Sequence, residues 1–134
     1  MRITLPWPDK GLSPNARLHR MAVAGLRKAY RWHCAMAFIE RGGRGTGAAH
    51  QHLDIIFHPP DRRRRDLDNM LSSIKSGLDG IADVIGVDDS LWSLTISRGM
   101  VVKGGMVAVI IMPEAGSTAA PVIGAIGAAA QATS

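Results

Sequence analysis

The sequence predicts an α/β protein of the α+β type, with two main helices packed on a small mixed sheet of four strands, and three observations predict it. Leu67, Leu71, Ile74, Leu78, Ile81 and Ile85 follow one another at spacings of 4, 3, 4, 3 and 4, which lays one apolar stripe along a helix. Trp92, Leu94 and Ile96 alternate with Ser93, Thr95 and Ser97, the period of a half-buried strand. Lys103-Gly104-Gly105 then reads as a hairpin signal that returns the chain as residues 106–112, so these last two strands are expected to pair antiparallel.

The other elements follow in chain order. Residues 2–5 read as a short strand, followed by a polar loop in which Pro6, Pro8 and Pro14 block regular pairing. Residues 17–41 carry alanine, leucine, methionine, lysine and arginine up to Gly42-Gly43, the composition and stop of a helix. Cys34 falls inside it as a small apolar side chain, and a single cysteine excludes an internal disulfide. A glycine-rich connection leads to a strand at residues 52–57, closed by Pro59 and Pro60. The second helix opens at the carboxylates beside Leu67 and ends at Gly86, and the turn Val87-Asp88-Asp89-Ser90 precedes the strand 91–102. Residues 1–113 therefore form one domain, and the Ala/Gly-rich stretch 114–134, short of large apolar groups, is expected to be a tail.

No leader pattern and no apolar run long enough to span a bilayer occurs in these residues, so a cytoplasmic protein without a membrane role is the expectation. A net charge of +5 favours an anionic partner. The densest charge is the stretch RRRRDLDN, in which Arg62, Arg63, Arg64 and Arg65 run into Asp66 and Asp68. Arginines set so close repel one another, but together they suit a polyanion. Two or three aspartates with water and a substrate phosphate satisfy a hard cation such as Mg²⁺. Six carboxylates lie between residues 66 and 89: Asp66, Asp68, Asp79, Asp83, Asp88 and Asp89. The plainer account makes Asp66 or Asp68 a helix cap and Asp88 a turn cap.

Other motifs fail. Met70 and Leu71 stand where a calcium loop needs an oxygen ligand and a glycine, and the histidines show neither H-x-x-x-H spacing nor a neighbouring nucleophile motif. A second, polar stripe of Asp68, Ser72, Lys75 and Asp79 lies beside the apolar one, so the second helix has a chemical edge. His19, which follows Asn15 and Arg17 at the entry to the first helix, could border a substrate groove, a surface histidine being the plainer account, and the plainer account of Arg17 and Arg20 is a solvated basic face.

The order LPWP, PDRRRRDLDN, a helix with lysine and LDG, then DDS before a strand resembles the RusA family of Holliday junction resolvases from bacteria and their phages, over about residues 3–112. The resemblance implies a small mixed α/β fold in an intertwined homodimer that binds four-way DNA junctions and cuts two strands symmetrically with Mg²⁺, Mn²⁺ being an alternative. By motif position it implies Asp66, Asp68 and Asp89 as catalytic metal ligands, with Asp88 beside them. It implies Lys75 as the catalytic lysine, although Lys75 lies seven residues after Asp68 and Ser72 holds the one-turn position. Arg62, Arg63, Arg64, Arg65, Arg17 and Arg20 would hold DNA phosphates, and Asn69 would orient a ligand. The competing expectations are a non-catalytic binder of junctions or single strands, and a nuclease preferring flaps or forks.

Overall fold

A computed structural model describes residues 1–45 and 51–113, with the backbone but not the side chains of Asp89 and Pro113. The expected tail, and part of the glycine-rich connection, lie outside the described residues. Two main helices and four strands form an α+β fold: β1 (Arg2–Pro6), α1 (Arg20–Glu40), β2 (Gln51–His58), α2 (Leu67–Ile85), β3 (Trp92–Arg98) and β4 (Met106–Pro113), with short 3-10 turns at Lys10–Leu12 and Asp89–Leu91.

The sheet is mixed, in the order β1-β4-β2-β3. β4 is antiparallel to β1 and β2, whereas β2 and β3 run parallel. The expected antiparallel pair of β3 and β4 is thus corrected, because β2 lies between them. The Lys103-Gly104-Gly105 signal does mark a turn: Gly104 and Gly105 have φ of 81° and 72°, and the Gly105 N–H donates to the Val102 carbonyl at 2.7 Å. That turn carries the chain across the end of β2 instead of back beside β3. Local glycine chemistry specifies a reversal, and the more apolar β2 takes the place between the two strands.

Strict alternation buries Leu53, Ile55 and Phe57 of β2 under the helices, together with Ile3 and Leu5 of β1 and Val107, Val109 and Ile111 of β4. The buried side of α2 is rotated from the expected stripe. Ile74, Leu78, Ile81 and Ile85 are buried as expected, but Met70 joins them and Leu67 and Leu71 are only partly covered. Each fully buried side chain of this size contributes about 1.5–3 kcal/mol. Gly77 and Gly80 share that side and let α1 approach. A Cβ on Gly80 would lie 2.1 Å from the Arg31 carbonyl oxygen, so the helices touch backbone to backbone there. Buried Cys34 packs against Gly77, and burial pushes its thiol up to about 12.

The boundaries of α1 are set by caps. His19 Nδ1 accepts the Met21 N–H at 3.1 Å, so the helix begins at Arg20, three residues later than composition suggests, and Gly42 ends it with φ of 90°. Among the described residues no helix is long and apolar enough to cross a membrane.

Register sorts the strand ends into two groups. Pro6 of β1, His58 of β2 and Met106 of β4 lie at one end of the sheet, and Arg98 of β3 pairs with Phe57 at the same end. Arg2, Gln51, Trp92 and Pro113 define the other end. The polypeptide reaches α2 from the first end and leaves it toward the second.

Candidate functional site

A cleft of about 730 Å³ opens at the first end of the sheet. Its walls come from the loop after β1 (Trp7, Asp9, Lys10, Ser13, Asn15), from the segment after β2 (Asp61, Arg63, Arg64, Arg65) and from the start of α2 (Asp66, Asn69, Ser73). The walls are fixed at several points. The Tyr30 hydroxyl donates to the Pro6 carbonyl at 2.7 Å, which anchors β1 to α1 just before Trp7. Asp9 caps the first 3-10 turn by accepting the Gly11 N–H at 2.8 Å.

The four arginines divide into two kinds. Arg65 is internal, with its side chain 17% exposed against 81% for Arg63. Its Nη1 donates to Asp61 Oδ1 at 2.7 Å, and its guanidinium lies 5.7 Å from the centre of the Trp7 ring. The Arg65 carbonyl accepts from Arg98 Nη2 at 2.7 Å. Arg65 is therefore a brace between the segment after β2, the Trp7 loop and the end of β3, and its charge is matched by Asp61. Arg62, Arg63 and Arg64 are exposed, and of these Arg63 and Arg64 line the cleft.

Asp61 was not apparent as a site residue, though its spacing of four from Arg65 and its position after two prolines are visible in the sequence. The Arg65 hydrogen bond, then the Arg63 N–H at 2.9 Å, hold its carboxyl down at about 2. Because the folded value is depressed below the usual 3.8, the contribution of the brace is present above that value and is lost as pH falls toward 2. Arg63→Ala should leave Tm in place, because its side chain is 81% exposed. Arg65→Ala should lower Tm, because it releases Trp7 and removes the shortest ion pair of Asp61, which keeps the Arg63 N–H and a longer contact of 3.7 Å to Arg63 Nε. Thermal melts of both variants check this, and equal behaviour of the two would contradict the division.

Asp66 stands at the N-cap of α2 yet makes no capping hydrogen bond. Among the described residues its carboxylate has no hydrogen-bond or salt-bridge partner, and it faces the cleft beside Arg64 and Arg65. The capping account does not hold for it. Asp68, in the first turn, is exposed outside the cleft lining and accepts the neighbouring Asn69 N–H at 3.0 Å. Asn69 lines the cleft, and its carbonyl accepts the Ser73 hydroxyl at 2.9 Å. Arg17 and Arg20 are exposed just past Asn15 and Ala16, outside the lining. Lys75 points along the helix to Asp79, with Nζ 3.3 Å from Oδ1, so its observed partner lies away from Asp68.

Asp88 and Asp89 are placed at the opposite end. α2 has 19 residues, roughly 28 Å of helix at 1.5 Å per residue, and Asp89 begins the 3-10 turn beyond it. The strand that follows starts at Trp92, paired with Gln51 at the far end of β2. The four residues from Gly86 to Asp89 span at most about 14 Å, so the turn cannot fold back to Asp66 within one chain. Asp88 Oδ1 accepts the Ser90 N–H at 2.9 Å, as a turn cap does, and borders a separate hollow with Arg31, Asp79 and Asp83. The Asp89 side chain lies outside the described residues. Among the described residues, no three His, Cys, Asp or Glu side chains gather closely enough to hold a metal.

The donor chemistry still fits Mg²⁺, which keeps several waters and is commonly bound by one or two carboxylates plus substrate phosphates. Asp66 supplies one unpartnered carboxylate to the cleft, whereas Asp68, two residues on, is exposed outside the cleft lining and bonded to the Asn69 N–H, so Asp66 with water and a substrate phosphate is the donor set the cleft itself presents.

No family model matches the chain. An uncharacterized protein of Xylella fastidiosa is 42% identical to it over 90 residues, a stretch that covers 65% of this chain and 59% of that protein. The chain thus spans less than two thirds of the relative it matches.

Proposed function

We propose that the chain is a Mg²⁺-dependent, structure-specific endodeoxyribonuclease of RusA type that resolves four-way DNA junctions by paired nicks. The observation that carries this reading is the unpartnered Asp66 carboxylate at a helix start, facing a cleft whose other walls present Lys10, Arg63 and Arg64. A carboxylate kept free beside arginines, where it could have been capped or paired, is suited to hold a cation against a phosphate.

In this reading Asp66 and Asp68 hold the cation, with Mn²⁺ able to replace Mg²⁺. The ion would polarise a phosphodiester and activate a water. Arg62, Arg63 and Arg64 hold phosphates beside the cut, and Arg17 and Arg20 extend the basic track past Asn15. Asn69, with its backbone fixed by Ser73 and Asp68, offers its amide to a ligand. Lys75, shared with Asp79, contacts a more distant phosphate rather than the reacting one.

The length of α2 supports one further part of the reading, the homodimer. A junction has two-fold symmetry, and two copies related by such an axis can set the Asp88–Asp89 turn of each against the Asp66–Asp68 pair of the other. Each centre then draws its carboxylates from opposite ends of α2, which one copy alone cannot achieve.

The basic cleft wall of Lys10, Arg63 and Arg64 suits a second reading equally, a non-catalytic binder of junctions or single strands. Labelled four-way junction, flap, fork and duplex, each incubated with Mg²⁺ or with EDTA, separate the possibilities. Symmetric nicks in the junction with Mg²⁺ alone are expected. Binding without metal-dependent nicking would replace the nuclease by the binder, and cleavage confined to flaps or forks would change the substrate.

A further inference from the structure

We propose that Met100 and Val101 form an apolar finger that inserts between unstacked bases at the branch point, an inference that rests on the branched-DNA reading above. Met100 is 77% exposed and Val101 43%, an unusual exposure for two adjacent apolar side chains. The segment bearing them is held firmly. The His58 Nδ1–H donates to the Met100 carbonyl at 2.9 Å, the Val102 N–H donates to the Pro59 carbonyl at 3.0 Å, and Arg98 donates to the Arg65 carbonyl at 2.7 Å.

Gly99 makes this path possible, since a Cβ there would lie 2.3 Å from the His58 ring and 2.9 Å from Ile56. The backbone is thus pinned to the segment that carries the arginines, while two apolar tips face solvent at the same end of the sheet as the cleft. Three hydrogen bonds connect the finger to residues 58–65, so a duplex gripped by Arg63 and Arg64 lies within its reach.

The occupant follows from size and charge. Two side chains flanked by Arg98 and Lys103 are far short of the roughly 800 Å² per partner of a stable protein interface. The neighbouring cations disfavour an apolar protein surface and favour phosphates. Methionine and other apolar wedges enter DNA between base steps and unstack them, and the step that costs least to open is one already distorted, as at a branch.

The test compares the wild-type protein with M100S/V101S, whose changes are at exposed positions, after melts and size-exclusion light scattering of both. The probes are a four-way junction carrying 2-aminopurine at its branch and a linear duplex of the same length. Expected is a rise in 2-aminopurine emission on wild-type binding that the variant loses, with junction affinity down roughly tenfold and duplex affinity unchanged. Equal emission and equal junction affinity would overturn the finger while leaving the nuclease reading intact. A changed oligomeric state with unchanged emission would overturn it also, assigning the loop to contact between copies. Failure of the wild type to bind any branched DNA would instead overturn the underlying reading.

Discussion

Asp66→Asn is expected to bind a four-way junction as tightly as the wild type and to nick it on the order of 10²–10³-fold more slowly, several kcal/mol of lost charge stabilisation at 1.36 kcal/mol per decade. The substitution preserves shape and removes one charge. No hydrogen bond to Asp66 is lost, because none caps the helix and none reaches the carboxylate from elsewhere among the described residues. Thermal stability should therefore change little, and a large loss of cleavage would not trace to unfolding. Taking away a negative charge beside Arg64 and Arg65 should, if anything, strengthen phosphate binding. Gel-shift and single-turnover nicking assays on the same preparation measure both effects. A fall in binding as large as the fall in cleavage would point to a positioning role instead.

Gly80→Ala is expected to be the most destabilising single methyl in the described fold. In an exposed helix interior alanine is favoured over glycine by about 1 kcal/mol. At Gly80 the added Cβ would meet the Arg31 carbonyl oxygen at 2.1 Å and the Ala35 nitrogen at 3.3 Å, both backbone atoms of α1 that no rotamer change can move. Relief requires α1 and α2 to separate. That motion disturbs the packing of Cys34 and Tyr30, and with it the Tyr30 anchor that positions Trp7. Overpacking costs about 1–3 kcal/mol and occasionally more, so the clash should outweigh the helical gain and lower Tm by on the order of 10 °C. Gly77→Ala should cost less, since the atoms at 2.6 Å are the Cys34 sulfur and the Tyr30 ring. Gly25→Ala is the control: nothing lies within 4 Å, so Tm should hold or rise. Calorimetry of the three variants tests the ranking, and a Gly80→Ala protein as stable as the wild type would refute the close helix crossing.

What the residues disclosed, and what they withheld, follows the range of the forces involved. Ile74, Leu78, Ile81 and Ile85 announced α2 because burial at helical period is a local pattern. Met70 and the small residues Ser73, Gly77 and Gly80 were missed on its buried side, since their place depends on how closely α1 comes. Gly104-Gly105 predicted a reversal, but a turn does not say which strand will lie alongside, and β2 displaced the expected neighbour. At the site, the arginine run read as uniform, yet Arg65 turned inward to Asp61 and Trp7 while Arg63 stayed in solvent. That sorting depends on the loop after β1 arriving at the far wall, which no spacing within RRRRDLDN encodes. Asp66 and Asp68 stand at the start of α2, as the helical period implied, but only Asp66 lines the cleft. Asp89, which the motif joined to them, begins at the other end of a helix roughly 28 Å long.

Subunit complementation tests most directly whether the cutting centre joins the two ends of α2 across two copies. Asp66→Asn and Asp89→Asn proteins are prepared separately, then unfolded together and refolded as a mixture, and Mg²⁺-dependent nicking of a four-way junction is measured for all three samples. Each variant alone should be inactive. In the mixture half the dimers are mixed, and each mixed dimer keeps one intact centre, so about a quarter of the wild-type centres should return and nick one strand at a time. A mixture as inactive as its two components would contradict a centre shared between copies.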